Sequence, residues 1–166
     1  MGPEGPLYPG ICRHLPGDAG TARVAAGEPH AIRLDVAKAA ALTGPLSWHD
    51  RARGMIVADT GLLGDIVLAR RDVRTSYHLS VTVDDAIQGV TLVTRGEDLF
   101  HATHVHRLLQ ALLSLTVPDY HHHGLLLNDR GERLSKRDGA TGVRTLRAQG
   151  VSAADILCRA AYRAEG

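Results

Sequence analysis

The sequence lacks the features that mark several large classes of protein. It has two cysteines, Cys12 and Cys158, in 166 residues. These are too few and too far apart for a disulfide framework, so we expect a reducing, cytoplasmic setting. No apolar run approaches the roughly 20 residues that span a bilayer, and the Gly/Pro-rich start "MGPEGPLYPG" has no apolar signal core. We therefore expect neither a disulfide-stabilised secreted domain nor a membrane helix.

An excess of charge of either sign is also missing. Lys and Arg number 19 against 18 Asp and Glu, a net charge of +1, so a face that binds nucleic acid would have to come from local clustering. Hydrophobic residues make up 44% of the chain, which is enough for a packed core. The length fits one domain or a large part of one.

Hydrophobic periodicity predicts a mixture of strands and helices, and hence an α/β or α+β fold. Residues 1–29 are rich in Gly, Pro and Ala and are interpreted as loop. Strands are predicted over residues 32–36, "RGMIVAD" and "GDIVLARRD", the last two paired through the turn "TGLLG". A further apolar element follows Gly89. One more strand is predicted from the alternation of Tyr77, Leu79, Val81 and Val83.

Helical spacing is clearest in "HATHVHRLLQALLSL", where apolar residues recur at i, i+3 and i+4. Asp98 precedes this helix as a candidate cap. Two shorter helices are predicted near the end of the chain: "VRTLRAQG", ended by Gly150, and "VSAADILCRAAY", capped by Ser152.

A basic loop stands between the central helix and these last helices. Six basic residues fall within residues 130–147: Arg130, Arg133, Lys136, Arg137, Arg144 and Arg147. Ser135 beside Lys136 offers a hydroxyl and an ammonium, which suit phosphate oxygens, and Gly131 and Gly139 let the loop bend. On composition alone, an ordinary solvated turn is the simpler interpretation.

Wider context changes that interpretation. "LLLNDRGERLSKRDGA" resembles the KMSKS-type signature loop of class I aminoacyl-tRNA synthetases, and "SYHLSVTVDDAIQGVTLVTRGEDLFHATHVHRLL" is similar to the second half of the glutamyl-tRNA synthetase core. In this order and at these separations, the motifs identify the chain as a member of the class I glutamyl/glutaminyl-tRNA synthetase family. Within that family, "YPGIC" and the end of the chain soon after the basic loop resemble the short glutamyl-Q tRNA(Asp) synthetases.

The resemblance implies a fold class and a division of the chain. The expected fold is α/β, the second half of a Rossmann-type catalytic core with a connecting β-rich insertion and C-terminal helices. Residues 1–30 would be the remnant of a zinc-binding insertion and a loop, residues 31–140 the catalytic-core portion, and residues 141–166 the C-terminal helices.

The resemblance also implies a reaction, which is the activation of glutamate with ATP and Mg²⁺ and its transfer to tRNA. For the short relatives the acceptor is the queuosine base of tRNA(Asp). Lys136 and Ser135 would be catalytic, in an ATP-binding loop of Leu134, Ser135, Lys136 and Arg137. Leu134, in place of the usual Met, would anchor that loop by packing.

The same resemblance assigns two further sets of residues. Tyr77 and Arg95 would bind glutamate, since an arginine can hold a carboxylate by a paired contact. Tyr8 and Cys12 would be half of a zinc site. His78 stands where these enzymes commonly carry Asn.

Two family features have no counterpart in the sequence: the HIGH-type motif and the Cys-x-Cys half of the zinc site. The resemblance therefore implies a C-terminal portion of an enzyme, and we expect the isolated chain to have little adenylation activity and to associate through exposed edges.

Two alternatives stay open. One is a non-catalytic module that binds a partner, or RNA phosphates through residues 130–147. The other is a fragment of a full-length glutamyl-tRNA synthetase.

Six histidines, in two groups, are interpreted as structural or surface residues, and no direct chemical role is expected for the acidic pair. His101, His104 and His106 lack the i, i+4 spacing of helical zinc ligands. Neighbours in the run from His121 to His123 would face opposite ways in a strand, which leaves open whether His122 or a neighbour lines the nucleotide pocket. Asp84 and Asp85 are expected to be solvated or capping.

Overall fold

The computed structural model describes residues 1–3, 5–127, 134 and 142–164, without the side chains of 159 and 162–164. Within this part, the chain forms six strands, six α-helices and one 3₁₀ turn. The strands are β1 (Ala31–Arg33), β2 (Ser47–Asp50), β3 (Gly54–Val57), β4 (Val67–Arg70), β5 (Leu92–Gly96) and β6 (Asp119–His123). The helices are α1 (Ala19–Ala25), α2 (Val36–Thr43), α3 (Tyr77–Ile87), α4 (Phe100–Leu112), α5 (Val143–Ala148) and α6 (Ala153–Ala164), with the 3₁₀ turn at Glu97–Leu99.

The main sheet has the strand order β3-β2-β6-β5. Strands β5 and β6 are parallel and joined by α4, which makes a β-α-β unit, and β2 lies parallel to the other side of β6. Only the hairpin partner β3 runs antiparallel. The mixed sheet with its crossover helix confirms the α/β fold class, and the carboxyl ends of β2, β5 and β6 meet at one edge, where open α/β sheets bind ligands.

Helix α4 supplies the core. Val105 and Leu108 are completely buried, and α4 packs against α2, where Val36 and Ala39 face it. The predicted helix is thus confirmed. The residue at the helix start is Leu99, which makes no capping side-chain bond, and Asp98 lies in the preceding 3₁₀ turn. The role of Asp98 as a cap stays a prediction.

The strand predicted from Tyr77 to Val83 is wrong, since these residues form the first turns of α3. The Ser76 hydroxyl accepts a hydrogen bond from the backbone N–H of Leu79 at 3.3 Å and so caps the helix. Leu79 and Val83 lie one turn apart on one face, and α3 packs against α4. Tertiary packing and the cap outweigh the β-propensity of the valines.

Three local expectations also need correction. The strands in "RGMIVAD" and "GDIVLARRD" exist as β3 and β4 but are not paired, because β3 pairs with β2 and β4 with β1. Strand β1 stops at Arg33, because Asp35 accepts the backbone N–H of Lys38 at 3.1 Å and starts α2. The N-terminal segment is not all loop, since it contains α1.

The two C-terminal helices are confirmed. Gly150 follows α5 with φ of +82°, a conformation that glycine adopts without strain. The Ser152 hydroxyl accepts the backbone N–H of Asp155 at 3.1 Å at the start of α6. No helix in the described ranges is long and apolar enough to cross a membrane.

We expect Leu108→Ala to lower the free energy of unfolding by about 2–5 kcal/mol, because it opens a cavity between α4 and its neighbours. Urea denaturation followed by circular dichroism measures the change. Leu42→Ala is the matched control, since Leu42 on α2 is 82% exposed. A Leu108 variant as stable as the Leu42 variant would contradict the assignment of α4 as the core helix.

Candidate functional site

The carboxyl edge of the main sheet carries a cluster of buried polar side chains. Arg95 on β5 is the register partner of His122 on β6, and Asp50 ends β2 on the other side of β6, opposite Tyr120. Thr103, near the start of α4, projects onto the same edge and hydrogen bonds both Arg95 and His122. The pairing of β2 with the β-α-β unit thus brings together residues that are up to 72 positions apart.

Asp50 is completely buried and has hydrogen-bond partners on both carboxylate oxygens. Oδ1 accepts the backbone N–H groups of Ala52 at 2.9 Å and Arg53 at 3.2 Å. Oδ2 lies 2.6 Å from Nδ1 of His122 and accepts the backbone N–H of His122 at 3.3 Å. Burial alone would raise the pKa of Asp50, but these hydrogen bonds, first that of His122, lower the pKa below its ordinary value.

Arg95 is held on three sides by neutral acceptors. Its Nε donates to Nε2 of His122 at 3.1 Å, one terminal nitrogen donates to Nδ1 of His106 at 3.2 Å, and the other donates to the hydroxyl of Thr103. The guanidinium also lies over the ring of Tyr120, 5.3 Å from its centre. These contacts use three of the five N–H donors of the guanidinium. None of the ion pairs among the described residues includes Arg95.

Tyr77, the other residue predicted to bind glutamate, lies at the start of α3 and is half exposed. Its ring packs edge-on against His106, with the ring centres 5.8 Å apart, and against His78 at 5.6 Å. Since His106 also accepts a hydrogen bond from Arg95, the structure brings the two predicted residues to one cluster. His78, the residue in the usual Asn position, lies with Nδ1 3.1 Å from Nε2 of His106.

Burial keeps the histidines of the cluster uncharged. Burial, followed by the nearby charge of Arg95, lowers the pKa of His106 to about 2. The pKa of His122 is also lowered, mainly by burial and against the opposing effect of Asp50. At neutral pH both rings can therefore accept a hydrogen bond from Arg95.

The acidic pair on α3 divides into two environments. Asp84 is exposed, whereas Asp85 is partly buried. Burial raises the pKa of Asp85, and the charge of Arg95 opposes that rise. Asp85 therefore lies within electrostatic range of the cluster.

Tyr8 and Cys12, the predicted half of a zinc site, are in contact through the backbone of Cys12. The hydroxyl of Tyr8 accepts the backbone N–H of Cys12 at 2.9 Å, and the Tyr8 ring stacks beneath Arg33 at 4.4 Å. Among residues 1–3, 5–127, 134 and 142–164, however, no group of three or more His, Cys, Asp or Glu side chains could hold a metal ion. The residues described do not fit a zinc site of four ligands.

Most of the predicted ATP loop, including Ser135, Lys136 and Arg137, lies outside the described residues. Leu134 is described: its side chain is 41% exposed, and its backbone N–H donates to the carbonyl of Leu126 at 2.8 Å. This bond joins Leu134 to the segment after β6. The role of Leu134 in anchoring the loop by packing stays a prediction.

Sequence reasoning missed Thr103 and His106, which contact Arg95 directly, and Asp50, which contacts the Arg95 partner His122. One signal was present: in "LSWHD", Asp50 alternates with the apolar residues Leu46 and Trp48, which places its side chain on the buried face of a strand. For the run from His121 to His123, the expected alternation is confirmed, since only the middle ring is fully buried. His104 and His106 are also buried rather than on the surface.

Comparison with known proteins shows which family this chain belongs to. A family model described as the catalytic domain of class I tRNA synthetases (E and Q) matches residues 2–162. The chain belongs to this family. It is 52% identical to the glutamyl-Q tRNA(Asp) synthetase of Rhodobacter capsulatus, over 94% of this chain and 56% of that protein. It is 35% identical to a glutamate–tRNA ligase of Thermus thermophilus, over 86% of this chain and 30% of the ligase.

A solved synthetase structure supports the same assignment. The glutamate–tRNA ligase of Elizabethkingia meningosepticum, in complex with its amino acid, superposes with a TM-score of 0.61 at 29% identity. The match covers 80% of this chain and 27% of that ligase. The chain spans about half the length of the glutamyl-Q tRNA(Asp) synthetases that it matches.

The buried His106 predicts that stability falls in acid. The unfolded chain protonates this histidine below about pH 6.5, whereas the folded chain does not until about pH 2. The stability of the folded chain is therefore unaffected by the titration of this histidine above pH 6.5. Below pH 6.5, the free energy of unfolding falls by up to about 1.4 kcal/mol per pH unit, because only the unfolded chain binds the proton. Urea unfolding at pH 7.5, 6.0 and 5.0 measures the slope.

His106→Asn isolates this effect from other titrating groups, because Asn cannot titrate and its Oδ1 can accept from Arg95 in place of Nδ1. We expect a shallower slope for this variant. His14→Gln, at an exposed position, is the control and should keep the wild-type slope. A His106→Asn slope equal to that of wild type would show that His106 is not held neutral.

Proposed function

We propose that this protein takes part in the ATP-dependent activation of glutamate and in its transfer to tRNA. The observation that carries the proposal is the position of Arg95, at the carboxyl edge of the parallel strands with two guanidinium N–H donors beyond those held by its neighbours. A cation there suits a carboxylate substrate. Membership of the synthetase family and the 52% identical relative support the same reaction.

In the proposed reaction, a carboxylate oxygen of glutamate attacks the α-phosphorus of ATP, and pyrophosphate leaves with the electron pair of the broken P–O bond. Negative charge grows on the pyrophosphate in the transition state, and the ammonium of Lys136 would stabilise it. Ser135 and Arg137 would bind the phosphates beside it, and Mg²⁺ would accompany ATP. Arg95 and Tyr77 would hold the glutamate in place for the attack.

For the acceptor, we propose the queuosine base of tRNA(Asp). Four of the similar relatives bear the name glutamyl-Q tRNA(Asp) synthetase, at 52%, 43%, 41% and 38% identity. Proteins named glutamate–tRNA ligase match at lower or comparable identity, for example 35% and 43%. The acceptor of those ligases is therefore the competing possibility.

Transfer of radiolabelled glutamate by the intact protein decides between these acceptors. The substrates are tRNA(Asp) with queuosine, the same tRNA without queuosine, and tRNA(Glu). We expect labelling of the first alone. Labelling of tRNA(Glu) instead would support a glutamate–tRNA ligase, and no labelling of any of the three would leave the transfer step without support.

We expect Arg95→Lys to raise the KM for glutamate about 10- to 100-fold in ATP–pyrophosphate exchange, with little change in the KM for ATP. Lysine keeps the positive charge but lacks the planar guanidinium, whose N–H groups can hydrogen bond the neighbouring side chains and a carboxylate at the same time. Arg70→Lys is the matched control, since Arg70 on β4 is exposed and paired with Asp72. An unchanged KM for glutamate in Arg95→Lys would remove Arg95 from the site.

The chain has two lysines, Lys38 and Lys136, which gives a matched pair of substitutions. We expect Lys136→Ala to lower kcat for the exchange reaction about 100-fold, because transition-state charge on pyrophosphate loses its partner. Lys38→Ala, at a position 83% exposed on α2, should keep the wild-type rate. Equal rates for the two variants would show that the basic loop is an ordinary solvated turn.

A further inference from the structure

The buried pair of Asp50 and His122 lies directly behind Arg95, and its hydrogen bonds permit one arrangement of protons. The Asp50 carboxylate already accepts three backbone N–H groups. An ionised carboxylate can only accept, so at 2.6 Å the Nδ1 atom of His122 must carry a proton and donate it.

The other nitrogen of His122 is fixed from the opposite side. Nε of Arg95 can only donate, and it lies 3.1 Å from Nε2 of His122. That nitrogen must therefore be unprotonated. Both neighbours thus select the same neutral tautomer of His122, with its proton on Nδ1.

The remaining contacts of Arg95 repeat this pattern without adding charge. Nδ1 of His106 accepts from the guanidinium, so the proton of the neutral ring sits on Nε2 and is directed to Nδ1 of His78, 3.1 Å away. The hydroxyl of Thr103 accepts on the third side. The guanidinium is fixed in orientation, yet the carboxylate of Asp50 reaches it only through the imidazole of His122.

We propose that Asp50 and His122 are positioning residues for glutamate binding. Asp50 sets the tautomer of His122, and His122 sets the orientation of Arg95, whose remaining donors then meet a carboxylate of glutamate with their charge not neutralised. The inference rests on the proposed function, because it assigns a role relative to the same substrate. Neither residue contacts the substrate in this arrangement.

Asp50→Asn tests the hydrogen bonds that lead from Asp50 through His122 to Arg95, with little change in the shape of the side chain. Oδ1 of the amide keeps the turn bonds to Ala52 and Arg53. Its NH₂ group faces Nδ1 of His122 and makes that atom an acceptor, and it also loses the bond that Oδ2 of Asp50 accepted from the backbone N–H of His122. The proton moves to Nε2 and meets the Nε–H of Arg95, donor against donor. We expect the KM for glutamate to rise about tenfold or more, with the KM for ATP unchanged.

Asp119→Asn is the matched control, because Asp119 begins the same strand β6 and also contacts a histidine and an arginine. Its contacts with His49 and Arg51 are exposed and lie at the opposite end of the strand. We expect both KM values to stay at the wild-type level.

Two substitutions of His122 separate positioning from a purely structural role. In His122→Asn, the amide can still donate to Asp50 but has no acceptor for Arg95. In His122→Gln, the longer amide can accept from Arg95 but leaves Asp50 without its side-chain donor. We expect His122→Asn to be the more stable variant with the higher KM for glutamate, and His122→Gln to show the reverse. A KM that simply follows stability would overturn the proposal.

Nitrogen-15 NMR of the imidazoles in the intact protein tests the first step without any substitution. We expect a protonated Nδ1 and an unprotonated Nε2 for His122, and the reverse tautomer in Asp50→Asn. The opposite tautomer in wild type overturns the proposal even if every variant fails to fold. Absence of glutamate-dependent exchange by the intact wild-type protein would overturn the proposed function, whereas normal exchange by the intact protein with an unchanged KM in Asp50→Asn would overturn the positioning role alone.

Discussion

The completely buried carboxylate of Asp50 is the constraint on which the sheet edge depends. A charge taken out of water is costly unless hydrogen bonds replace its hydration. Asp50 receives four: two from the turn that follows β2, and two from His122 on the neighbouring strand. The need to satisfy one carboxylate therefore joins β2 to β6 and fixes the turn after β2 at the same time.

From this carboxylate, a sequence of donors and acceptors leads across the sheet to Arg95. Each step uses a group whose role is not adjustable, because a carboxylate only accepts and a guanidinium only donates. The neutral rings of His122 and His106 and the hydroxyl of Thr103 hold the guanidinium without pairing its charge. In the proposed function, this arrangement would leave the cation available to the carboxylate of glutamate, whereas an ion pair in its place would compete with that carboxylate.

Sequence reasoning reached the Arg95 end of this arrangement but not the Asp50 end. Arg95 and Tyr77 followed from a resemblance between ordered motifs, and the core helix followed from its apolar spacing. Asp50 did not, because its role depends on β6, which is about 70 residues away, lying parallel beside β2. Hydrophobic periodicity also predicted the wrong element for α3, because its alternating apolar residues fit a strand as well as a helix. The Ser76 cap and the packing of α3 against α4 stabilise the helix.

The sequence by itself determined the family, the α/β class, the core helix α4 and the composition of the basic loop, since these depend on local spacing and on the order of motifs along the chain. Only the tertiary structure decided which strands pair, which histidines are buried, and that Arg95 and Tyr77 meet at His106. The reason is physical: a side chain's protonation state and orientation depend on desolvation and on partners distant in sequence. Those become defined only when the sheet and α4 pack together.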